Sequence, residues 1–178
     1  MNSMLYTRKG DSGTTKTFSC DQRVSKSSSI AEALGSLDEI NSFLGLIKIK
    51  AEVSVSETIG RIQQDLFIIQ AELAGAPKTI EPSKVLWLEE IIDSIEKTLP
   101  PIKTFFVSGG VELAALSDIA RTIARRTERR VIGVVDEGKI KIGKHTLAYL
   151  NRLSSVLYAF ARSFNHKAGI TEEAPCYK

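Results

Sequence analysis

The sequence predicts an all-α protein: an up-and-down five-helix bundle with an extended N-terminal arm. Apolar residues recur at spacings of three and four through most of the chain after Ser29. Proline, glycine and short polar stretches punctuate that pattern into separate segments. No convincing set of strands appears, apart from possible short pieces in the arm.

Residues 1–28 are rich in Gly, Ser, Thr, Lys and Asp and have no sustained periodicity, so they read as an extended or looped arm. From Ser29 to about Ile49, the recurrence of Ile30, Leu34, Leu37, Ile40, Leu44 and Ile47 predicts an amphipathic helix. Residues 55–75 repeat the pattern through Ile59, Ile62, Leu66, Ile69 and Leu73, until Gly75 and Pro77 stop it. A third helix is expected over 82–99, with Ser83 as a cap just inside its start and Pro100-Pro101 at its end. After a loop bearing Phe105, Phe106, Ser108 and Gly109-Gly110, a fourth helix spans roughly 111–132. Asp136-Glu137-Gly138-Lys139 reads as a turn, and a fifth helix covers about 143–167. The tail, 168–178, is expected to fray or drape on the surface. With no internal repeat or boundary, the 178 residues form one domain, its bundle running from 29 to 167.

Composition narrows the function classes. The chain is 43% hydrophobic and 25% charged, the balance of a soluble globular protein. A net charge of +3 is too small to argue for nucleic acid. No run approaches the ~18 apolar residues of a membrane span. Cys20 and Cys176 lie far apart and outside any CxxC pair, so neither a zinc site nor a disulfide framework is expected. The first residues lack an apolar signal core, and the expected location is cytoplasmic. A ferritin-like metal bundle would need inward Glu-x-x-His ligands, and neither His145 nor His166 follows a glutamate at that spacing.

The charged content that matters is local: residues 121–130 hold five arginines. At about 100° per residue, Asp118, Arg121, Arg125 and Glu128 share one sector of the fourth helix. Leu116, Ile119 and Ile123 are expected on the core side. Two accounts fit this strip. It is a solvated face with pairs Asp118–Arg121 and Arg125–Glu128 at i,i+3, or its arginines hold a polyanion while the glutamate orients one of them. Arginine suits the second task because its planar fork donates parallel hydrogen bonds and stays charged. Spacing alone leaves both open.

In the arm, Thr7-Arg8-Lys9-Gly10-Asp11-Ser12-Gly13-Thr14-Thr15 sets glycines among hydroxyls and cations, with Lys26 downstream. Glycine lets backbone N–H groups approach an anion, and hydroxyls add donors. The stretch lacks the Gly-Lys-Ser/Thr ending of a Walker A loop. A flexible loop without a ligand would have the same composition.

Together these segments resemble the PduO-type ATP:cob(I)alamin adenosyltransferases. YTRKGDSGTT resembles the TRxGDxGxT signature that opens the family. ALGSLDEINSFLG is similar to its first-helix motif, FFVSGGVELAALSDIARTIARRTERRV to its loop and arginine helix, and YLNRLSSVLYAFAR to its last helix. The four occur in the family's order across about 5–165.

The resemblance implies transfer of the 5′-deoxyadenosyl group of ATP to the cobalt of cob(I)alamin, by a homotrimer with ATP held between neighbouring subunits. It implies that Thr7, Arg8, Gly10, Asp11, Gly13, Thr14, Thr15 and Lys26 wrap the nucleotide and its phosphates. Arg125, Glu128 and Asn151 of the adjoining subunit complete that site, Asp38 pairs with Arg121 across the interface, and Phe105 lies beneath the corrin ring. Magnesium (Mg2+) is expected to bridge the triphosphate without a dedicated carboxylate cage, and an external reductase or reduced flavin to supply the electron. A non-catalytic ATP or cobalamin carrier or sensor is the alternative on the same bundle. Three positions depart from the family pattern: Ser108 replaces the proline of a Pro-Gly-Gly loop, Ser117 a common histidine, and Ser155 an aspartate.

Overall fold

A computed structural model describes residues 5–17 and 23–177. Its elements are β1 (Thr14–Lys16), β2 (Arg23–Ser25), α1 (Ser29–Lys50), α2 (Val53–Leu73), α3 (Pro82–Glu96), α4 (Glu112–Asp136) and α5 (Lys144–Lys167). The five expected helices are present, and the short strands pair as an antiparallel hairpin with Thr15 opposite Val24. Cys20 lies outside the described residues, and Cys176 is an exposed free thiol.

Local chemistry explains most helix ends. The Ser28 hydroxyl accepts from the Ala31 amide at 3.4 Å and caps α1, whose last turn carries Lys48 and Lys50 against the negative end of the helix dipole. Gly75, at φ 88°, closes α2 because a left-handed residue there costs glycine little. The cap of α3 and the ends of α3 and α4 differ from the sequence reading. Glu81, not Ser83, precedes α3, and no side chain caps it; Pro82 opens the helix, where its missing N–H is not needed. The helix also stops at Glu96 rather than Leu99, unwinding through turns at Thr98 and Leu99, since Pro100 disfavours helical backbone before it. Conversely, α4 runs past 132 to Asp136. Val131 and Val134 are fully buried there, and their burial carries Gly133 along as helix.

Packing places α1 against α2 and α4, and α5 against α4 and α3. Ser29 meets Glu137 and Lys50 meets Glu112, so α1 and α4 run antiparallel. Glu89 meets Arg152 while Pro100 meets Arg162, so α3 and α5 run parallel, as alternating directions require. Leu37, Ile40, Leu44, Ile62, Leu66 and Leu153 are wholly buried along the bundle axis. Each contributes roughly 2 kcal/mol of apolar transfer.

The inward line of α4 includes Leu116, partly buried against the core, but departs from expectation at one position. Ile123 is buried, but Ile119 is 48% exposed. The core-facing stripe is Ala114, Ser117, Ala120, Ala124 and Thr127, followed by Val131 and Val134. These residues are small because α4 lies between α1 and α5, and short side chains let the helix backbones approach. The Thr127 hydroxyl crosses that contact and donates to the Ser36 carbonyl at 3.0 Å. Ser117 is fully buried, and its hydroxyl donates to the Leu113 carbonyl at 2.7 Å.

Two buried carboxylates join the remaining helices. Asp65 of α2 accepts from the Tyr149 hydroxyl of α5 at 3.0 Å and from the Lys84 ammonium of α3. Glu72 accepts from the Thr146 hydroxyl at 2.5 Å and the Gly143 amide at 2.8 Å, fixing the start of α5.

Candidate active site

The outward strip of α4 forms one wall of a cavity of about 830 Å³. Arg121 and Arg125 line it together with Ser155 and Tyr158 of α5 and Phe105 and Phe106 of the connecting loop. Arg121 Nε donates to Asp118 Oδ1 at 2.9 Å, so the first expected i,i+3 pair forms. Its guanidinium also lies 5.8 Å from the centre of the Tyr158 ring. The second expected pair does not form. Glu128 instead accepts from Asn151 Nδ2 of α5 at 2.9 Å. Asn151 Oδ1 accepts in turn from Arg152 at 2.7 Å, and Arg152 Nε donates to Glu89 at 2.7 Å. Both ends of the amide are thereby satisfied, which sets its orientation. With Glu128 engaged, the Arg125 guanidinium has no hydrogen-bonding or ionic partner among the described residues. An exposed, unpaired guanidinium on a cavity wall is a ready receptor for an anion.

Burial pushes the Tyr158 hydroxyl above the usual phenol range, with Glu172 and Asp118 adding to the rise and Arg162 and Arg121 opposing it. Tyr158 is therefore a neutral wall of the site at physiological pH.

Phe105 is 79% exposed at the cavity edge. The loop carrying it is anchored by Asn165 of α5, whose side chain donates to the Gly109 carbonyl at 2.9 Å and accepts from the Val111 amide at 3.1 Å. Gly110 sits at φ 94°, and a Cβ there would meet Asn165 Oδ1 at 2.1 Å. Only glycine fits, whatever residue stands at 108. Asn165 escaped the sequence reading; the Gly-Gly doublet marked a turn without revealing what lies against it.

The arm gathers a second constellation. Gly13 N–H donates to the Gly10 carbonyl at 3.1 Å, and Lys26 N–H to the Gly13 carbonyl at 2.9 Å. The Lys26 ammonium thereby approaches the face of Gly10, where a Cβ would lie 3.0 Å from Nζ. Arg8 holds a left-handed backbone at φ 59°, a strained conformation for a side chain of that kind. Thr7 takes an amide bond from Lys9, and the Thr14 hydroxyl lies 3.4 Å from that of Ser12. Asp11 is exposed on the same loop, and Thr15 is half-buried in the hairpin. Arg23, which sequence reasoning passed over, braces the loop: it donates to the Thr14 hydroxyl and carbonyl, each at 2.7 Å, and to the Lys9 carbonyl.

Within one chain these two constellations stand apart. The arm leads into α1 beside the far end of α4, where Ser29 donates to Glu137 at 2.6 Å. Arg125 lies twelve residues before Glu137, roughly 18 Å along the axis. Asp38, exposed on α1, has no hydrogen-bonding or ionic partner among the described residues, and Arg121 is held by Asp118 of its own helix.

Residues 5–164 match the family model described as cobalamin adenosyltransferase. The chain belongs to that family. It is 40% identical to the corrinoid adenosyltransferase PduO of Citrobacter freundii, over 92% of this chain and 50% of that protein. A PduO relative from Salmonella typhimurium is 39% identical, with 53% of its length covered. The chain thus spans about half the length of these two relatives. It is 37% identical to the corrinoid adenosyltransferase of Bacillus subtilis, over 93% of this chain and 89% of that one. Among solved structures, a phenylalanine-to-alanine variant of the PduO-type ATP:corrinoid adenosyltransferase from Lactobacillus reuteri, complexed with cobalamin and ATP, matches with a TM-score of 0.90. That match has 31% identity and covers 97% of this chain and 99% of the other. An arginine-to-lysine variant complexed with ATP matches with a TM-score of 0.88 and 31% identity, covering 97% and 100% of the two chains.

Proposed function

We propose that this chain transfers the 5′-deoxyadenosyl group of ATP to the cobalt of cob(I)alamin, giving adenosylcobalamin and triphosphate. The observation that carries the reading is the unpaired Arg125 beside Arg121 on the wall of a cavity edged by Phe105. Relatives of the same fold that hold ATP and cobalamin together support it.

In the reaction, the electron pair of the reduced cobalt substrate forms a bond to the 5′ carbon of ATP as the bond from that carbon to the triphosphate oxygen breaks. Both bonding electrons of the broken bond leave with triphosphate. The nucleophile arrives with the substrate, so the protein needs no Ser-His-Asp arrangement. Its work is positioning and neutralising the charge that grows on the leaving group. Arg125 supplies a fixed donor for that charge, Glu128 and Asn151 hold the wall beside it, and Phe105 excludes water and nitrogen ligands from beneath the corrin.

The arm supplies the other half of the site through the backbone donors near Gly10 and Gly13, the hydroxyls of Thr7, Thr14 and Thr15, and the charges of Arg8, Asp11 and Lys26. The absence of arm residues from the cavity lining favours a site shared between copies, in which one protomer's arm meets its neighbour's α4 with Asp38 paired to Arg121 across the contact; the family resemblance makes that assembly a homotrimer. Among the described residues no group of three or more His, Cys, Asp or Glu is placed to hold a metal. Magnesium would enter with the triphosphate, whose oxygens and water supply most of its ligands. The electron for cob(II)alamin comes from an external reductase or reduced flavin. No described helix is long and apolar enough to cross a membrane; the proposed site of action is the cytoplasm.

The test is an anaerobic assay with chemically reduced cobalamin, ATP and magnesium, following the corrinoid spectrum and released triphosphate together. One triphosphate per adenosylcobalamin is the expected result. Tight binding of both substrates without product would refute catalysis and leave a carrier or sensor.

A further inference from the structure

The tail beyond α5 does not simply drape on the surface; it returns to the loop that carries Phe105. That connection, residues 97–111, has no helix or strand of its own. Loops of this length are uncommon in compact domains and are usually functional. Its far end is held by Asn165, as described above. Its first half is held through Arg162, which is only 4% exposed. Arg162 Nη2 donates to the Pro100 carbonyl at 3.0 Å, and its guanidinium lies 5.3 Å from the centre of the Phe106 ring. Arg162 Nε donates to Glu172 Oε2 of the tail at 3.0 Å. One residue further on, the Glu173 carbonyl accepts from the Val107 amide at 2.8 Å. Phe105 therefore sits between two tethers, one at Pro100 and one at Val107, and both run through the Arg162–Glu172 pair or the tail beside it.

An ion pair with one buried and one half-buried partner is weak evidence for stability, because desolvation offsets much of the attraction. What this one provides is geometry. Two points of the loop, Pro100 and Phe106, and Glu172 of the tail meet on one planar guanidinium, whose donors have fixed directions. Arg162 also lines the cavity.

We propose that Arg162 and Glu172 are positioning residues: the tail clasps the 100–107 loop and holds Phe105 at the corrinoid side of the cavity. This rests on the functional reading above. Arg121 and Arg125 belong to α4 and share no hydrogen bond or ion pair with the clasp, so loosening it should affect the corrinoid substrate more than ATP.

The experiment compares the full-length protein with Glu172→Ala and Glu172→Gln by hydrogen exchange and by steady-state kinetics with cob(I)alamin and ATP. In Glu172→Ala, the Val107 amide should exchange at least tenfold faster while α4 amides keep their protection. KM for the corrinoid should rise at least fivefold, and KM for ATP should stay within twofold. Glu172→Gln keeps an acceptor for Arg162 and should show smaller changes in both readouts. Unchanged exchange at Val107 in Glu172→Ala, or KM values for both substrates rising in proportion, would overturn the proposal. If the wild-type protein made no adenosylcobalamin, only the activity reading would fail. The exchange comparison would still decide whether the tail holds the loop.

Discussion

Asn151 of α5 donates to Glu128 of α4 at 2.9 Å, and this bond keeps the carboxylate away from the arginine one turn before it. Glu128 stands at i+3 from Arg125, where carboxylate and guanidinium ordinarily meet. Asn151→Ala should therefore free Glu128 to capture Arg125 and lower kcat/KM for ATP by roughly three- to tenfold, about 0.7–1.4 kcal/mol. Adding Glu128→Gln, which cannot form the ionic pair, should restore part of the loss. A double variant no better than Asn151→Ala would rule out capture.

Arg125 carries the charge-neutralising role most directly, because it alone of the two cavity arginines on α4 lacks an acidic partner among the described residues. Arg125→Ala should cut turnover at least tenfold, about 1.4 kcal/mol of lost transition-state stabilisation. Arg125→Lys should recover only part, since an ammonium keeps the charge and loses the two-pronged geometry. Near-normal turnover in the alanine variant, measured with saturating cob(I)alamin, would remove Arg125 from the mechanism.

Phe105 has little packing to lose, being largely exposed at the cavity edge. Its replacement should leave the melting temperature unchanged and act on the corrinoid. Phe105→Ala should slow the reaction that starts from cob(II)alamin and a reductant on the order of tenfold more than the reaction of preformed cob(I)alamin. Equal losses would mean that the ring merely fills space.

The helices were legible because their buried faces repeat large aliphatic residues: Leu37, Ile40 and Leu44 on α1, and Ile59, Ile62 and Leu66 on α2, are fully buried as their spacing implies. On α4 the same logic held for Ile123 but failed at Ile119, which lies outside, because much of the stripe that faces the core is alanine, serine and threonine. Periodicity registers hydrophobicity, whereas a helix packed between two others is selected for small volume. The site was legible in part. Arg121, Arg125 and Phe105 do meet in one cavity, but the Arg125–Glu128 pair that one account of the strip offered does not form, because local spacing cannot show that Asn151 of another helix engages the carboxylate. Arg23, Asn165 and Arg162 were invisible for the same reason. Each acts on chain that is brought near only by folding.

Asp38 is exposed and unpartnered among the described residues of one chain, which makes it available to a second copy. Asp38→Asn should shift the assembly toward smaller species at low micromolar concentration, or lower kcat if the assembly persists. Sedimentation velocity and kinetics at matched concentrations check this. Unchanged mass with unchanged kinetics would count against the pairing with Arg121.

The Tyr149–Asp65 bond gives the last prediction, on stability. Tyr149 is fully buried, and burial first, then the charge of Asp65, pushes its hydroxyl far above the usual phenol range. Tyr149→Phe should destabilise the fold by about 1–3 kcal/mol at neutral pH, because Asp65 loses a donor while remaining buried. The pH dependence has a definite sign. A group whose folded pKa is raised contributes its full stability below the unfolded value, near 10 for tyrosine, and loses it as pH climbs toward the folded value. Wild-type stability should therefore fall above about pH 10 more steeply than that of Tyr149→Phe, and the gap between the two should narrow. Urea unfolding at pH 8 and pH 10.5, at fixed protein concentration, measures that gap. A constant difference across the two pH values would show that the tyrosine ionises equally in both states, contrary to its burial against Asp65.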